Sequence, residues 1–180
     1  MSAQGRRELR LAGTGGQGLI LAATLLAQAL SQGGRHVAQS QTYEPTSRGG
    51  YCNADLVVAD GEVDYPLATA LDALVLLDRL AVAPSWPLLK PDAPVLADSR
   101  LCPDTPPHSG PVRLLPFTRT AIELGSERVA NIVALGALAA LTGVVGLDGL
   151  RATVRRESPK AYADLNLDAL DAGVRLIRQT

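Results

Sequence analysis

Leu9-Arg10-Leu11-Ala12 is a short, largely apolar stretch that runs straight into Gly13-Thr14-Gly15-Gly16-Gln17-Gly18. The pattern predicts a strand, a glycine-rich turn and a helix start. Leu19 to Leu30 supply the helix, rich in Leu and Ala and apolar on nearly every side. A helix without a polar face belongs between a sheet and a further layer. Gly33-Gly34 ends it. His36 to Gln39 predicts a short second strand, Thr42 to Gly50 a loop, and Ala54 to Ala59 a third strand. Asp60-Gly61 predicts a hairpin-type turn into Glu62-Val63-Asp64, closed by Pro66.

Ala73 to Leu77 and Pro94 to Ala97 are continuous apolar runs of buried-strand length, and Val112 to Leu115 gives a further strand. A helical or irregular stretch with Pro84, Pro87 and Pro91 separates the first two, and the Pro/Gly-rich segment Pro103 to Pro111 precedes the third. Such runs interleaved with helices predict a three-layer α/β/α fold with a largely parallel, or mixed, central sheet covered on both faces. The last third changes character: Arg128 to Leu141, Leu147 to Val154 and Asn166 to Ile177 predict helices. With no internal repeat and no long linker, the 180 residues predict one domain spanning 1–180.

Charge narrows the possible partners. Seventeen basic and 18 acidic residues give a net charge of -1, and the basic clusters are as short as Arg6-Arg7 and Arg155-Arg156. That balance argues against nucleic acid. The six aromatic side chains, four of them tyrosines, offer no stacking platform for bases. The stretch from Ala130 to Val145 is broken by Gly136, Thr142 and Gly143 and falls short of the roughly 20 apolar residues that span a bilayer. The start of the chain does not read as a secretory signal, so the expectation is a cytoplasmic protein without membrane insertion.

Cys52, Cys102, His36 and His108 are the only thiols and imidazoles, and no Cys-x2-Cys spacing occurs. They do not make an iron-sulfur or structural zinc site, so a redox cluster needed for function must sit on another chain. Cys52 has no histidine linked to it by sequence context and reads as an inert thiol. The acids of Asp60-Gly61-Glu62-Val63-Asp64 lack the alternating oxygen ligands of a calcium loop and read as a solvated turn.

Gly13, Gly15 and Gly18 match G-x-G-x-x-G between a strand and a helix, the context in which the first glycine makes the turn and the second clears a path for phosphate. Gln39-Ser40-Gln41 puts no acid at the tip of the second strand to hold a ribose hydroxyl, and no Gly-Lys-Ser/Thr follows the turn. Three readings stay open: a nucleotide held by this chain alone, a site shared with another subunit, or close packing only. Gln17, a carboxamide at an exposed helix start, suits polar contact with a ligand or neighbouring backbone, or a capping role. If the first two strands are neighbours, the loop with Tyr43, Glu44, Arg48, Gly49 and Gly50 faces the glycine turn. Arg48 then meets a phosphate or carboxylate beside the glycine amides, or else pairs with Glu44.

Gly13 to Gly18, Tyr43-Glu44-Pro45 with Arg48-Gly49-Gly50, and Asp55 through Pro66 together resemble the gamma subunit of 2-oxoacid:acceptor oxidoreductases, the pyruvate, 2-oxoglutarate and branched-chain or aryl oxoacid:ferredoxin enzymes. Asn131-Ile132-Val133-Ala134-Leu135-Gly136, and Asn166 with Ala169, Ala172 and Gly173, extend the resemblance over about residues 8–175. In the family the loop more commonly reads Ser-Tyr-Gly-Pro-Glu-x-Arg-Gly-Gly. Here Thr42 replaces Ser, Glu44 replaces Gly and Thr46 replaces Glu, while Arg48, Gly49 and Gly50 are retained.

The resemblance implies a non-autonomous subunit of an enzyme converting a 2-oxoacid and coenzyme A to acyl-CoA, carbon dioxide and reduced ferredoxin or NAD(P)H. Thiamine diphosphate and [4Fe-4S] clusters belong to partner chains, no cofactor to this chain alone, and ferredoxin or a flavoprotein takes the electrons. This chain is implied to complete the complex and shape the approach of coenzyme A to the active site. Gly13, Gly15, Gly16, Gln17, Gly18, Arg48, Gly49 and Gly50 are its binding residues, and it supplies no catalytic residue or metal ligand. A free-standing Rossmann-like nucleotide-binding oxidoreductase and a purely structural adaptor are the competing classes.

Overall fold

The computed structural model describes residues 5–44 and 49–179. Six strands form one sheet: β1 (Arg7–Thr14), β2 (His36–Tyr43), β3 (Tyr51–Ala59), β4 (Ala73–Leu76), β5 (Val95–Asp98) and β6 (Val112–Leu115), in the order β2-β3-β1-β4-β5-β6. β3 pairs antiparallel with both β1 and β2, while β1/β4, β4/β5 and β5/β6 are parallel, so β3 alone opposes the common direction. The sheet is mixed. The first two strands are therefore not neighbours: β2 and β3 make a hairpin, and β3 fills the place beside β1.

Alternation along the strands divides the core. Leu9 and Leu11 on β1, with Cys52, Ala54, Leu56 and Val58 on β3, point into the main cluster. There they meet α1 (Leu19–Gln32), α3 (Phe117–Glu123), α4 (Ala130–Thr142), α5 (Leu147–Glu157) and α6 (Ala163–Arg178). Ala12, Leu74, Leu76 and Val95 point the other way. On that side the cover is thin: two 3-10 turns flank the four-residue α2 (Val82–Ser85), bringing Ala81 and Trp86 onto the sheet. The prolines of this stretch keep it from growing into a full helix.

Two of the expected elements differ. The chain after Asp60 does not turn back as a strand. Asp60 instead pairs with Arg35 at 3.0 Å, and farther along the segment the amides of Thr69 and Ala70 donate to the Glu8 carboxylate. α3 was not foreseen; it starts after Pro116 and buries Phe117 and Ala121.

Charges in the middle of apolar strands are paired. Arg10 and Asp55 stand opposite each other across β1 and β3, both nearly buried, with Nε donating to Oδ1 at 2.7 Å and Nη2 to Oδ2 at 2.8 Å. Asn53 Nδ2 also donates to Asp55 Oδ1, at 2.9 Å. Burial alone would lower the Arg10 pKa, but the bonded carboxylate outweighs it and the net shift is upward. At the far end of the core, α4 and α6 touch through two glycines. A Cβ on Gly136 would overlap the Leu170 carbonyl, and one on Gly173 the Val133 carbonyl.

Candidate functional site

The turn between β1 and α1 is shaped by its own side chains. Gly16 and Gly18 have φ of +94° and +73°, values that favour glycine. Gln17 folds its carboxamide back over Gly13: Oε1 accepts from Thr14 N at 2.8 Å and Nε2 donates to Leu77 O at 3.0 Å. The carboxamide thus clips the end of β1 to the end of β4, and a Cβ on Gly13 would overlap it. Gly18 enters α1 without a side-chain cap, which leaves the first-turn amides of the helix open to the rim. Its own carbonyl is held from elsewhere, by Asn131 Nδ2 at 2.8 Å.

Gly15 is different. Its φ is ordinary, and the nearest atom to a Cβ built there is Gly50 O at 3.9 Å, an ordinary contact. Among the described residues neither the φ nor the packing calls for glycine at this position.

The β2–β3 hairpin brings the end of β2 and the start of β3 to this same rim. Because Thr14 pairs with Tyr51, the end of β1 lies beside the start of β3, and Gly15 N donates to Gly50 O at 2.9 Å. Glu44 N donates to Tyr51 O at 2.9 Å and Tyr51 N to Glu44 Oε2 at 3.2 Å, closing the hairpin end. Gly49 has a φ of +72°. The glycine turn and Gly49-Gly50 therefore meet, although through the hairpin rather than through adjacent parallel strands. Arg48, with Pro45 to Ser47, lies outside the described residues. Two large apolar side chains at the adjoining element ends are open to solvent: Leu21 in the first turn of α1, 53% exposed, and Tyr43 at the end of β2, 64% exposed.

On its other side the turn borders a cleft of about 240 Å³ lined by Gly16, Gln17, Leu77, Leu101, Thr118 and Arg128, among others. The cleft lies where α1 leaves β1 on one face of the sheet and the segment after β4 leaves on the other, the place where open α/β sheets receive ligands. Asp98 sets two of its walls. Fully buried at the end of β5, it accepts from Arg100 N and Leu101 N at 2.9 Å through Oδ1 and from Thr118 N at 2.6 Å through Oδ2.

Sequence reasoning gave no role to Asn131, Asp98, Thr118 or Arg128. The first two carried a signal, a polar residue beside or within an apolar run, which in a core has to be bonded.

The thiols stand apart from this chemistry. Cys52 packs in the main cluster and Cys102 in the thin one. Burial raises both, Cys102 to about 11 with Asp78, Asp98 and Asp104 adding to it. Among the described residues no group of three His, Cys, Asp or Glu side chains could hold a metal ion, and no helix is long and apolar enough to cross a membrane.

Residues 8–176 match the family model described as pyruvate ferredoxin/flavodoxin oxidoreductase. The chain is 39% identical to the 2-oxoglutarate synthase subunit KorC of Archaeoglobus fulgidus, over 95% of this chain and 88% of that protein. It is 31% identical to the ketoisovalerate oxidoreductase subunit VorA of Methanothermobacter thermautotrophicus over 95% of its own length but only 36% of VorA, so there the same unit is part of a longer polypeptide. The solved gamma subunit of a keto/oxoacid ferredoxin oxidoreductase from Geobacter sulfurreducens superposes with a TM-score of 0.86 at 36% identity, covering 97% of this chain and 99% of that one. The chain belongs to the pyruvate ferredoxin/flavodoxin oxidoreductase family, as the gamma subunit of a 2-oxoacid oxidoreductase.

Proposed function

We propose that this gamma subunit serves an enzyme that converts a 2-oxoacid, with 2-oxoglutarate the first candidate, and coenzyme A into acyl-CoA and carbon dioxide, passing electrons to ferredoxin or, through a flavoprotein, to NAD(P). The similarity to KorC supports the choice of oxoacid. Thiamine diphosphate, which supplies the electron sink for decarboxylation, and the [4Fe-4S] clusters are assigned to partner chains, in a cytoplasmic assembly. The donor set here does not fit a cluster: two buried thiols on opposite faces of the sheet, both with raised pKa. The role of this chain is to complete the complex and to form one side of the path by which coenzyme A reaches the active site. Gly13, Gly15, Gly16, Gln17, Gly18, Gly49 and Gly50 form the rim of that path. Arg48, immediately before Gly49 in sequence, adds a cation for a phosphate.

The observation that carries this reading is Gly15, a glycine that nothing among the described residues requires, in a turn whose helix has no side-chain cap. A side chain is absent where only something outside the chain would meet it. Exposed Leu21 and Tyr43 fit a rim covered by a partner subunit. The test is Gly15→Val in the reconstituted complex, assayed over a range of coenzyme A concentrations. The KM for coenzyme A is expected to rise with the complex intact. An unchanged KM in an intact complex rejects the path and leaves a structural adaptor.

A further inference from the structure

Asn131 opens α4 inside the core, 2% exposed and followed by an unbroken run of buried apolar residues. A buried carboxamide is tolerated only when its polar atoms are bonded, and a Leu or Val would fill the space without that demand. Both of its ends are engaged: Oδ1 accepts from Ile132 N at 2.9 Å, and Nδ2 donates at 2.8 Å to the carbonyl of Gly18, 113 residues away in sequence.

That carbonyl is also the first acceptor of α1, bonded by Ala22 N at 3.1 Å. Holding it fixes the peptide that joins Gly18 to Leu19, and so the direction of the uncapped amides in the first turn. Gly18 and Asn131 require each other. A Cβ on Gly18 would overlap Nδ2 and lie 3.1 Å from Cγ, so the close approach exists only because this position carries no side chain. On the opposite side of the turn the Gln17 carboxamide binds Thr14 N and Leu77 O. The turn is gripped between two carboxamides, one local and one from a distant helix, and both bond backbone.

We infer that Asn131 is a positioning residue for coenzyme A: it aims the amides of the glycine turn at the rim and acts only through that turn. The inference rests on the reading that coenzyme A passes this rim, and Gly15→Val tests that reading separately. Bonds that align amides without touching the reacting atoms change affinity more than the chemical step.

The experiment compares three variants in the reconstituted complex, each assayed at varied coenzyme A and at saturating oxoacid. Asn131→Asp keeps the size and the Oδ1 acceptor but sets a carboxylate against the Gly18 carbonyl. Asn131→Ser is too short to reach it and serves as a second probe of the same bond. Both are expected to raise the KM for coenzyme A by about tenfold, the equivalent of one lost alignment of ordinary strength, with kcat within about twofold. A fall in kcat at unchanged KM overturns the inference, and so does failure of both variants to assemble, since the residue is then purely structural. Unchanged KM in both Asn131 variants with a raised KM in Gly15→Val overturns the role of Asn131 alone. Unchanged KM in all three overturns the coenzyme A path together with it.

Discussion

Replacing Asp55 by Asn removes a charge from the interior of the sheet and leaves its shape. In the native chain the Asp55 carboxylate takes two bonds from Arg10, at 2.7 and 2.8 Å, and one from Asn53 at 2.9 Å, with the side chains of the ion pair each 8% exposed. After the change the guanidinium is a buried cation whose other bond, to the Pro84 carbonyl, is 3.4 Å long. Breaking one side of a buried pair costs about 3–5 kcal/mol, a large share of a typical domain stability of about 5–15 kcal/mol. At about 2–4 °C per kcal/mol for a chain of this size, the expected fall in Tm is roughly 6–20 °C.

The paired change Arg10→Met with Asp55→Leu removes both charges at once. Replacing a buried pair by apolar groups of similar volume is often neutral or stabilising, so this variant is expected to recover most of the loss. Urea unfolding followed by circular dichroism on the native chain, Arg10→Met, Asp55→Leu and the double variant gives the coupling energy directly. An Asp55→Asn variant within about 1 kcal/mol of the native chain refutes the reasoning, as does a double variant as unstable as the two single losses added together.

Gly136→Ala and Gly173→Ala test the contact between α4 and α6. Helix propensity alone predicts a gain of about 1 kcal/mol for each, whereas overlap with the facing carbonyl predicts a loss of about 1–3 kcal/mol, so the sign of the change in urea midpoint decides. The Glu8 carboxyl bears on acid stability. Burial alone would raise its pKa, but bonds from the Ala70 and Thr69 amides and from Arg6 outweigh it, and the net shift is downward from 4.5. A carboxyl lowered in the folded state contributes stability that is present above about pH 4.5 and lost as pH falls below it. The stability gap between the native chain and Glu8→Gln, measured by urea unfolding between pH 7 and 3, is expected to narrow below that point, and a gap constant across the range refutes it.

Two strands were legible because they were apolar throughout: the runs at 73–77 and 94–97 became β4 and β5 almost residue for residue, while Val112 to Leu115, interrupted by Arg113, became the edge strand β6. A strand buried on both faces announces itself by composition. What composition does not carry is pairing. β3 beside β1 is fixed by the hairpin register and by the match of Arg10 with Asp55, two opposite charges inside apolar strands that could have pointed to each other. The missed α3 is short, and Pro116 with Thr118 and Thr120 around Phe117 gave no clear helical period. The expected hairpin at Asp60-Gly61 did not form, and the partner Asp60 takes instead is distant: it pairs with Arg35, which no local rule sees.

The same difficulty governs how the glycine turn should be weighed. As a string, Gly13, Gly15 and Gly18 complete a nucleotide fingerprint, and each glycine counts equally toward it. In the structure a Cβ on the first would meet the carboxamide of Gln17, and the last is held by its φ of +73° and its contact with Asn131, so both have reasons inside the chain. Among the described residues only Gly15 is left to speak for an outside partner, and it speaks without naming a nucleotide: Glu44, the acid at the end of β2, is separated from β1 by β3, and its carboxylate accepts from Tyr51 N. A motif is evidence for a ligand only in the residues that the fold has not already claimed. Counted that way, the turn supports a rim completed from outside more than a dinucleotide site held by this chain alone, and substitutions at Gly15 separate the two where substitutions at Gly13 or Gly18 would merely disturb the fold.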